Sequence, residues 1–140
     1  MRVDFDSIQA RFELFKGYVG ELEGLLKEKE EFFHSLVLRM AVERLLQLSI
    51  ECLLDIAQHI AAAKGKRPPE SYSDCIKVLE EVGLIKEEKG ELYRSIIRFR
   101  NILVHGYARI DPKIVYERWT KGLSDLRDMA RDLLIAAEDP

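Results

Sequence analysis

The sequence predicts an all-α protein built from five helices. Only 8 Gly and 4 Pro interrupt its 140 residues, and apolar residues recur at spacings of three and four, which is the period of an amphipathic helix. A hydrophobic content of 47% is enough to build a core, and 34% charged residues provide a solvated surface. We therefore predict one helical domain that spans residues 1–140 and contains no strand.

The first two predicted helices cover most of the N-terminal half. Residues 7–27 form an amphipathic helix that Asp6 or Ser7 could cap, and the charged residues 27–31 are compatible with either a hinge or a continuous helix. Residues 32–63 form the longest helix, about 45–50 Å if straight. Because this helix is apolar on most sides, it either lies at the centre of the fold or contacts a second subunit.

The remaining three helices are marked by breaks and caps. Residues 65–69, which include two prolines, end the long helix. Ser71 or Ser73 then caps a short helix that continues through Glu81, and Gly83 ends it. Residues 86–104 form the fourth predicted helix, and Gly106 suits its C-terminal cap. Asp111 and Pro112 have the residue types of the N-cap and first turn of a fifth helix.

Composition also restricts where the protein acts. Cys52 and Cys75 lie far apart in helical patterns without a CxxC spacing, so we predict two reduced core thiols. No uninterrupted apolar run approaches the roughly 18 residues of a membrane span, and residues 1–6 lack the apolar segment of a signal peptide. We therefore predict a cytoplasmic protein.

Arginine is concentrated near the end of the fourth helix. Four arginines and no acid occur between residues 94 and 110, although the net charge of the chain is −3. The acidic residues concentrate instead in residues 21–31 and 111–139. This distribution predicts a local positive field that suits a small anionic site better than a broad DNA footprint.

Within this region, residues 98–107 combine the side chains that phosphodiester chemistry needs. On a continuous helix, Arg100 and His105 would point about 140° apart, whereas Asn101 and Arg98 would share a face with His105. Two arrangements would bring the set together. Either the helix ends near Val104 and lets His105 turn, or two copies of the segment meet across a two-fold axis.

These residue types fit metal-independent cleavage of RNA. His105 can act as base or acid, Arg100 can stabilise charge on the phosphate, and Asn101 can orient either group. The nucleophile is the 2′-hydroxyl of RNA, so we expect 2′,3′-cyclic phosphate and 5′-hydroxyl ends. No carboxylate lies near the segment, and we expect no metal or other cofactor.

Structural interpretations of the same residues remain open. His105 could simply complement a helix dipole, and Arg100 could pair with Glu51 or Asp55, either of which would then support it. Glu51, Asp55 and His59 also follow at four-residue spacings, which is compatible with metal ligands on one helix face, although no second ligand set accompanies them.

The pattern Arg-Asn-x3-His-x-Tyr, formed by Arg100, Asn101, His105 and Tyr107, resembles the motif of the HEPN family of small helical ribonucleases. Within that family, HepT-like toxins extend the motif with a tyrosine two residues after the histidine, and Tyr107 resembles that tyrosine. The long helix and the following short helix also look like those of the family. Arg98 satisfies a longer version of the motif, but we prefer Arg100 because a polar residue follows it.

The resemblance implies an up-and-down helical bundle that forms a two-fold homodimer, with both motifs in one cleft. It implies an RNA-cleaving toxin encoded beside a minimal nucleotidyltransferase (MntA-like) antitoxin, which would transfer AMP to Tyr107 and block the site. A non-catalytic HEPN module that binds such a partner or a nucleotide is the alternative, and a plain helical dimerisation protein is the third candidate.

Overall fold

The structure, a computed structural model, describes residues 2–105 and 110–139. Within these ranges the chain forms helices and no strand, which confirms the predicted all-α class. The described residues contain six helices instead of the five expected: α1 (Phe5–Leu26), α2 (Lys29–His34), α3 (Leu36–Lys64), α4 (Tyr72–Glu81), α5 (Glu87–Val104) and α6 (Pro112–Glu138).

The additional helix arises because the predicted long helix divides at Ser35. This residue has an extended backbone, with φ −116° and ψ 111°, and its side chain accepts a hydrogen bond from the Leu38 N–H at 3.1 Å. Ser35 is thus the N-cap of α3 and separates it from α2. The charged residues 27–31 contain a second break, so the hinge alternative is the correct one there.

Helix α3 is the centre of the fold, since it packs against each of the other five described helices. By length and mean hydropathy alone it could also cross a membrane, but 56% of its most apolar window is buried inside the protein. A helix that is buried in a protein core can have the same length and mean hydropathy. Near the start of α3, Leu36 and Met40 are exposed, and the predicted contact with a second subunit stays a prediction.

Most helix ends follow the predicted caps. Ser71 accepts a hydrogen bond from the Asp74 N–H at the start of α4, and Gly83 follows the helix with a φ of 75°, which favours glycine. Asp111 caps α6, whose first residue is Pro112. The predicted cap of α1 is wrong, since Asp4 rather than Asp6 or Ser7 occupies that position.

Aromatic residues form much of the core that holds α5 and α6 in place. Trp119 and Tyr93 are fully buried, and Trp119 packs edge-on against Phe99, with 5.1 Å between the ring centroids. Phe32 is buried, whereas its neighbour Phe33 lies at the surface. In α6, the apolar residues Ile114 and Leu134 are also exposed.

The two cysteines have the character predicted for them. Cys52 and Cys75 are buried and unbonded. Burial raises the pKa of each thiol to about 11, so both remain protonated at neutral pH. They therefore behave as small apolar core residues rather than as nucleophiles.

Helices α4 and α5 run antiparallel. Glu80, near the end of α4, binds Arg94 in the first half of α5, whereas Tyr72 at the start of α4 lies beneath Arg100 near the end of α5. The start of α4 is therefore held next to the arginine of the motif.

The segment that leads into α4 is fixed by Asp74, and this pairing predicts a pH-dependent contribution to stability. Asp74 accepts two hydrogen bonds from Arg67 at 2.7 and 2.8 Å and one from the Glu70 N–H at 2.9 Å. The hydrogen bonds from Arg67, and then that from Glu70, lower the pKa of Asp74 to about 2.

The pKa of Asp74 is lower in the folded protein than in the unfolded chain. The contribution of its ionised carboxylate to stability is therefore complete above the unfolded-state pKa and is lost as the pH falls toward 2. Asp74→Asn is expected to lower the free energy of unfolding by about 1 kcal/mol at pH 7, and about half of this difference should remain at pH 3. Urea unfolding at several pH values measures it. Asp125→Asn is the control, since Asp125 forms no ion pair within the described ranges. An effect of Asp74→Asn that does not depend on pH would contradict the assignment.

Candidate active site

Arg100 is held in a fixed position between α3 and α4. Its Nη2 donates a hydrogen bond to Glu51 Oε1 at 3.0 Å, and its Nη1 donates to Asn101 Oδ1 at 3.2 Å. The guanidinium carbon lies 5.3 Å from the centroid of the Tyr72 ring. Only 19% of the side chain is exposed. Arg100 is therefore a positively charged group that its neighbours hold in place and that solvent reaches only in part.

Glu51 is the carboxylate that supports Arg100, and Asp55 is not. Glu51 Oε1 also accepts a hydrogen bond from Gln47 Nε2 at 3.0 Å, which restrains it on the surface of α3. Asp55 instead lies 3.6 Å from Arg11 on α1. Of the two partners considered from the sequence, the structure selects Glu51.

The metal-site interpretation of Glu51, Asp55 and His59 finds no support in the geometry. Glu51 faces Arg100, Asp55 faces Arg11, and His59 Nε2 accepts a hydrogen bond from the Asp4 N–H at 3.4 Å. Across residues 2–105 and 110–139, no group of three His, Cys, Asp or Glu side chains is arranged to hold a metal ion. The expectation that the protein uses no metal or other cofactor stays a prediction.

His105 lies where helix α5 ends. The last helical residue is Val104, and His105 follows as the C-cap with φ −90° and ψ 28°, its N–H donating to the Asn101 carbonyl at 3.0 Å. The imidazole is exposed. The helix therefore ends where the first of the two predicted arrangements requires, whereas the two-fold arrangement concerns a pair of chains and stays a prediction.

Arg98 differs from Arg100 in position and surroundings. It lies on the exposed side of α5 and binds Glu91 on the same helix, with 3.0 Å between Nη2 and Oε1. It makes no contact with the Glu51–Tyr72 surroundings of Arg100 among the described hydrogen bonds and ion pairs. Burial and restraint thus distinguish the two arginines that satisfy the motif.

The arginines of the predicted local positive field have carboxylate partners. Arg94 pairs with Glu80 and Glu91, Arg98 pairs with Glu91, and Arg100 pairs with Glu51. These carboxylates come from α3, α4 and the start of α5, rather than from the acidic segments at 21–31 and 111–139. Glu51 and Glu80 reach the arginines from other helices, which adjacency in sequence does not reveal. The local positive field itself stays a prediction.

Three further residues of the predicted region lie outside the described ranges. They are Gly106, which was expected to cap the helix, Tyr107, which was expected to accept AMP, and Arg109.

Tyr72 is the site residue that sequence reasoning missed. It begins α4, about thirty positions before the motif, and no motif or spacing marks it. Burial, followed by the charge of Asp55, raises the pKa of its phenol, which therefore remains a hydrogen-bond donor at neutral pH. Its ring supports the Arg100 guanidinium.

An all-α bundle with a restrained arginine and an exposed histidine at one helix end fits the class of HEPN-type helical ribonucleases. The family model described as "Ribonuclease HepT-like" matches residues 15–133. The chain therefore belongs to the HepT-like ribonuclease family, which confirms the resemblance predicted from sequence.

Curated relatives fit this assignment. A "Putative RNase" of Archaeoglobus fulgidus is 37% identical over 67 residues, which make up 48% of this chain and 50% of the relative. The chain matches about half the length of the first curated relatives. The mRNA nuclease HepT of Shewanella oneidensis is 26% identical over 110 residues, covering 79% of this chain and 83% of the relative.

Solved structures share the fold. The tri-AMPylated HEPN toxin of Shewanella oneidensis, in complex with its MNT antitoxin, matches with a TM-score of 0.84 and 23% identity over 92% of this chain and 97% of that one. YutE of Bacillus subtilis, described as a cytosolic protein, matches with a TM-score of 0.75 and 24% identity over 94% of this chain and 89% of that one. At these identities the likeness concerns the fold alone.

Proposed function

We propose that this protein is a metal-independent endoribonuclease toxin of a toxin–antitoxin pair. The observation that carries the proposal is the position of Arg100, which Glu51 and Tyr72 fix on α5 one turn before an exposed histidine at the helix end. A fixed guanidinium is suited to a phosphate that gains charge during reaction.

In the proposed reaction, the 2′-oxygen of RNA bonds to the adjacent phosphorus while the bond from phosphorus to the 5′-oxygen breaks. A base accepts the 2′-hydroxyl proton, and an acid supplies a proton to the leaving 5′-oxygen. His105 takes one of these roles, Arg100 stabilises the phosphorane, and Asn101 orients the phosphate or the imidazole. The products carry 2′,3′-cyclic phosphate and 5′-hydroxyl ends.

A second copy of the chain supplies the other proton-transfer group in this proposal. Large apolar side chains remain exposed on the two helices that build the site, Leu36, Val37 and Met40 on α3 and Ile102 and Val104 on α5. Exposed apolar surface of this kind supports association. A two-fold homodimer would place two copies of His105 and Arg100 in one cleft.

The proposed antitoxin is a minimal nucleotidyltransferase of the MntA type that transfers AMP to Tyr107. Support comes from the solved relative, an AMPylated HEPN toxin bound to an MNT antitoxin. AMP on Tyr107 would add bulk and negative charge two residues after His105, and both would oppose RNA binding. A cytoplasmic location fits the proposal, and YutE is described as cytosolic.

The second candidate function is a non-catalytic module that binds a nucleotidyltransferase partner or a nucleotide. One observation favours it: the charge of Arg100 is already compensated by Glu51 within the chain. Such a module would bind its partner without cleaving RNA.

Incubation of the purified protein with tRNA and with single-stranded RNA in EDTA tests the proposed function. We expect cleavage to continue after chelation and to leave cyclic phosphate ends, since the chemistry relies on side chains. Mapping of both product ends by sequencing and by phosphatase sensitivity measures this. Cleavage that stops in EDTA and returns with a divalent ion would contradict metal independence, and no cleavage by unmodified protein would favour the binding module.

A further inference from the structure

We propose that a cleft beside Asn101 binds one nucleobase of the RNA strand and thereby selects the nucleotide at which cleavage occurs. This inference rests on the proposed ribonuclease function. The cleft has a volume of about 360 Å³ and lies between α3, the start of α4 and α5. That volume falls within the ~300–1,000 Å³ typical of small-molecule sites.

Two amide side chains from different helices line the cleft. Gln58 belongs to α3 and Asn101 to α5, and both line the cavity. Each amide offers donors and an acceptor, and the edges of nucleobases present the same pairing of donor and acceptor groups. The Gln58 amide is exposed and forms no hydrogen bond within the described ranges, so it can bind a base without losing an internal bond.

The remaining walls suit the flat faces of a base. Tyr72, Pro69 and Ile97 contribute an aromatic ring, a proline ring and an aliphatic side chain. Proteins that bind single-stranded RNA stack bases on such aromatic surfaces. Tyr72 also supports Arg100, so a base in the cleft would belong to a nucleotide next to the phosphate held by the motif arginine.

Charge distinguishes this cleft from a larger one of about 790 Å³, which runs along α4 and shares Glu70, Ser71 and Ser73 with it. The larger cleft is lined by two cations, Lys77 and Arg94, and by five carboxylates, those of Glu70, Asp74, Glu80, Glu81 and Glu87. Because its carboxylates outnumber its cations, the larger cleft is less suited to a polyanion. The cleft beside Asn101 contains one of these carboxylates, Glu70, and its other polar groups are amides and hydroxyls.

Cleavage of an RNA pool of random sequence by Gln58→Ala tests the proposal. The wild type is expected to favour one base at a fixed position beside the cleaved bond. In the variant, the ratio of cleavage at the favoured base to cleavage at the other bases should fall about threefold to tenfold, because one or two hydrogen bonds to the base disappear. Gln9→Ala, an exposed glutamine on α1, is the matched control and should cleave with the wild-type distribution. An unchanged distribution for Gln58→Ala, or an equal loss of rate at all sites, would overturn the proposal.

A binding experiment separates this proposal from the proposed function. A 2′-O-methyl RNA oligonucleotide lacks the nucleophile, so NMR titration reports binding without cleavage. We expect shifts of the Tyr72 ring and Gln58 amide signals, with weaker binding to Gln58→Ala. If these shifts occur but the wild type does not cleave RNA, base binding in the cleft is supported and the ribonuclease function is refuted. If the wild type cleaves RNA but the shifts do not occur, base binding in the cleft is refuted. Shifts with 5′-AMP but none with the oligonucleotide would also overturn the proposal, since they would indicate a site for free nucleotides.

Discussion

Replacement of His105 with alanine is expected to slow RNA cleavage by about 10²–10⁴-fold, because a general acid or base typically contributes this much. The exposed imidazole at the end of α5 supports no core contact, so the free energy of unfolding should change little. Single-turnover rates on one labelled RNA, with thermal unfolding in parallel, measure both effects.

His34→Ala is the matched control for this experiment. His34 is also exposed, and its ring nitrogen only contacts the Glu30 carbonyl at 2.8 Å on the surface of α2. It should retain wild-type activity. Equal losses for the two variants, or a His105→Ala rate within threefold of wild type, would refute a proton-transfer role for His105.

Substitution of Arg100 should have the second-largest effect. Arg100→Lys keeps the charge but loses the planar donors that bind Glu51 and Asn101, and Arg100→Ala removes both. We expect Arg100→Ala to lose about 10²–10³-fold in rate and Arg100→Lys to recover only part of it. Rates at saturating RNA, with KM measured separately, give the comparison.

Arg98→Ala distinguishes the two arginines of the motif. Among the residues that the structure describes, Arg98 binds Glu91 alone, on the exposed side of α5, so its loss should change the rate by less than about threefold. The opposite ranking, with Arg98→Ala inactive and Arg100→Ala active, would transfer the proposed role to Arg98. Thermal unfolding is needed here as well, since Arg100→Ala leaves Glu51 half-buried without its partner.

The helices could be predicted because their signals are local. Ser71, Gly83, Asp111 and Pro112 lie where the sequence indicated a start or an end, and each acts through its own backbone or side chain. Ser35 could not be identified in this way. It lies within a continuous apolar pattern, and a serine there is compatible with both a helix interior and a cap.

The site was only partly predictable, for a related physical reason. The motif residues lie close together in sequence, whereas the groups that restrain Arg100 come from α3 and α4. Helical spacing placed both Glu51 and Asp55 within reach of the arginine and could not choose between them. Tyr72 depends on the antiparallel packing of α4 against α5, which no local pattern encodes.

The internal pairing of the arginines has a consequence for how the protein would meet its substrate. Arg94, Arg98 and Arg100 already have carboxylate partners, so each would neutralise the charge of an RNA phosphate only in part. Few counterions are then released, and affinity should fall more gently with salt than the slope of about −0.7 per neutralised phosphate of basic single-strand binders.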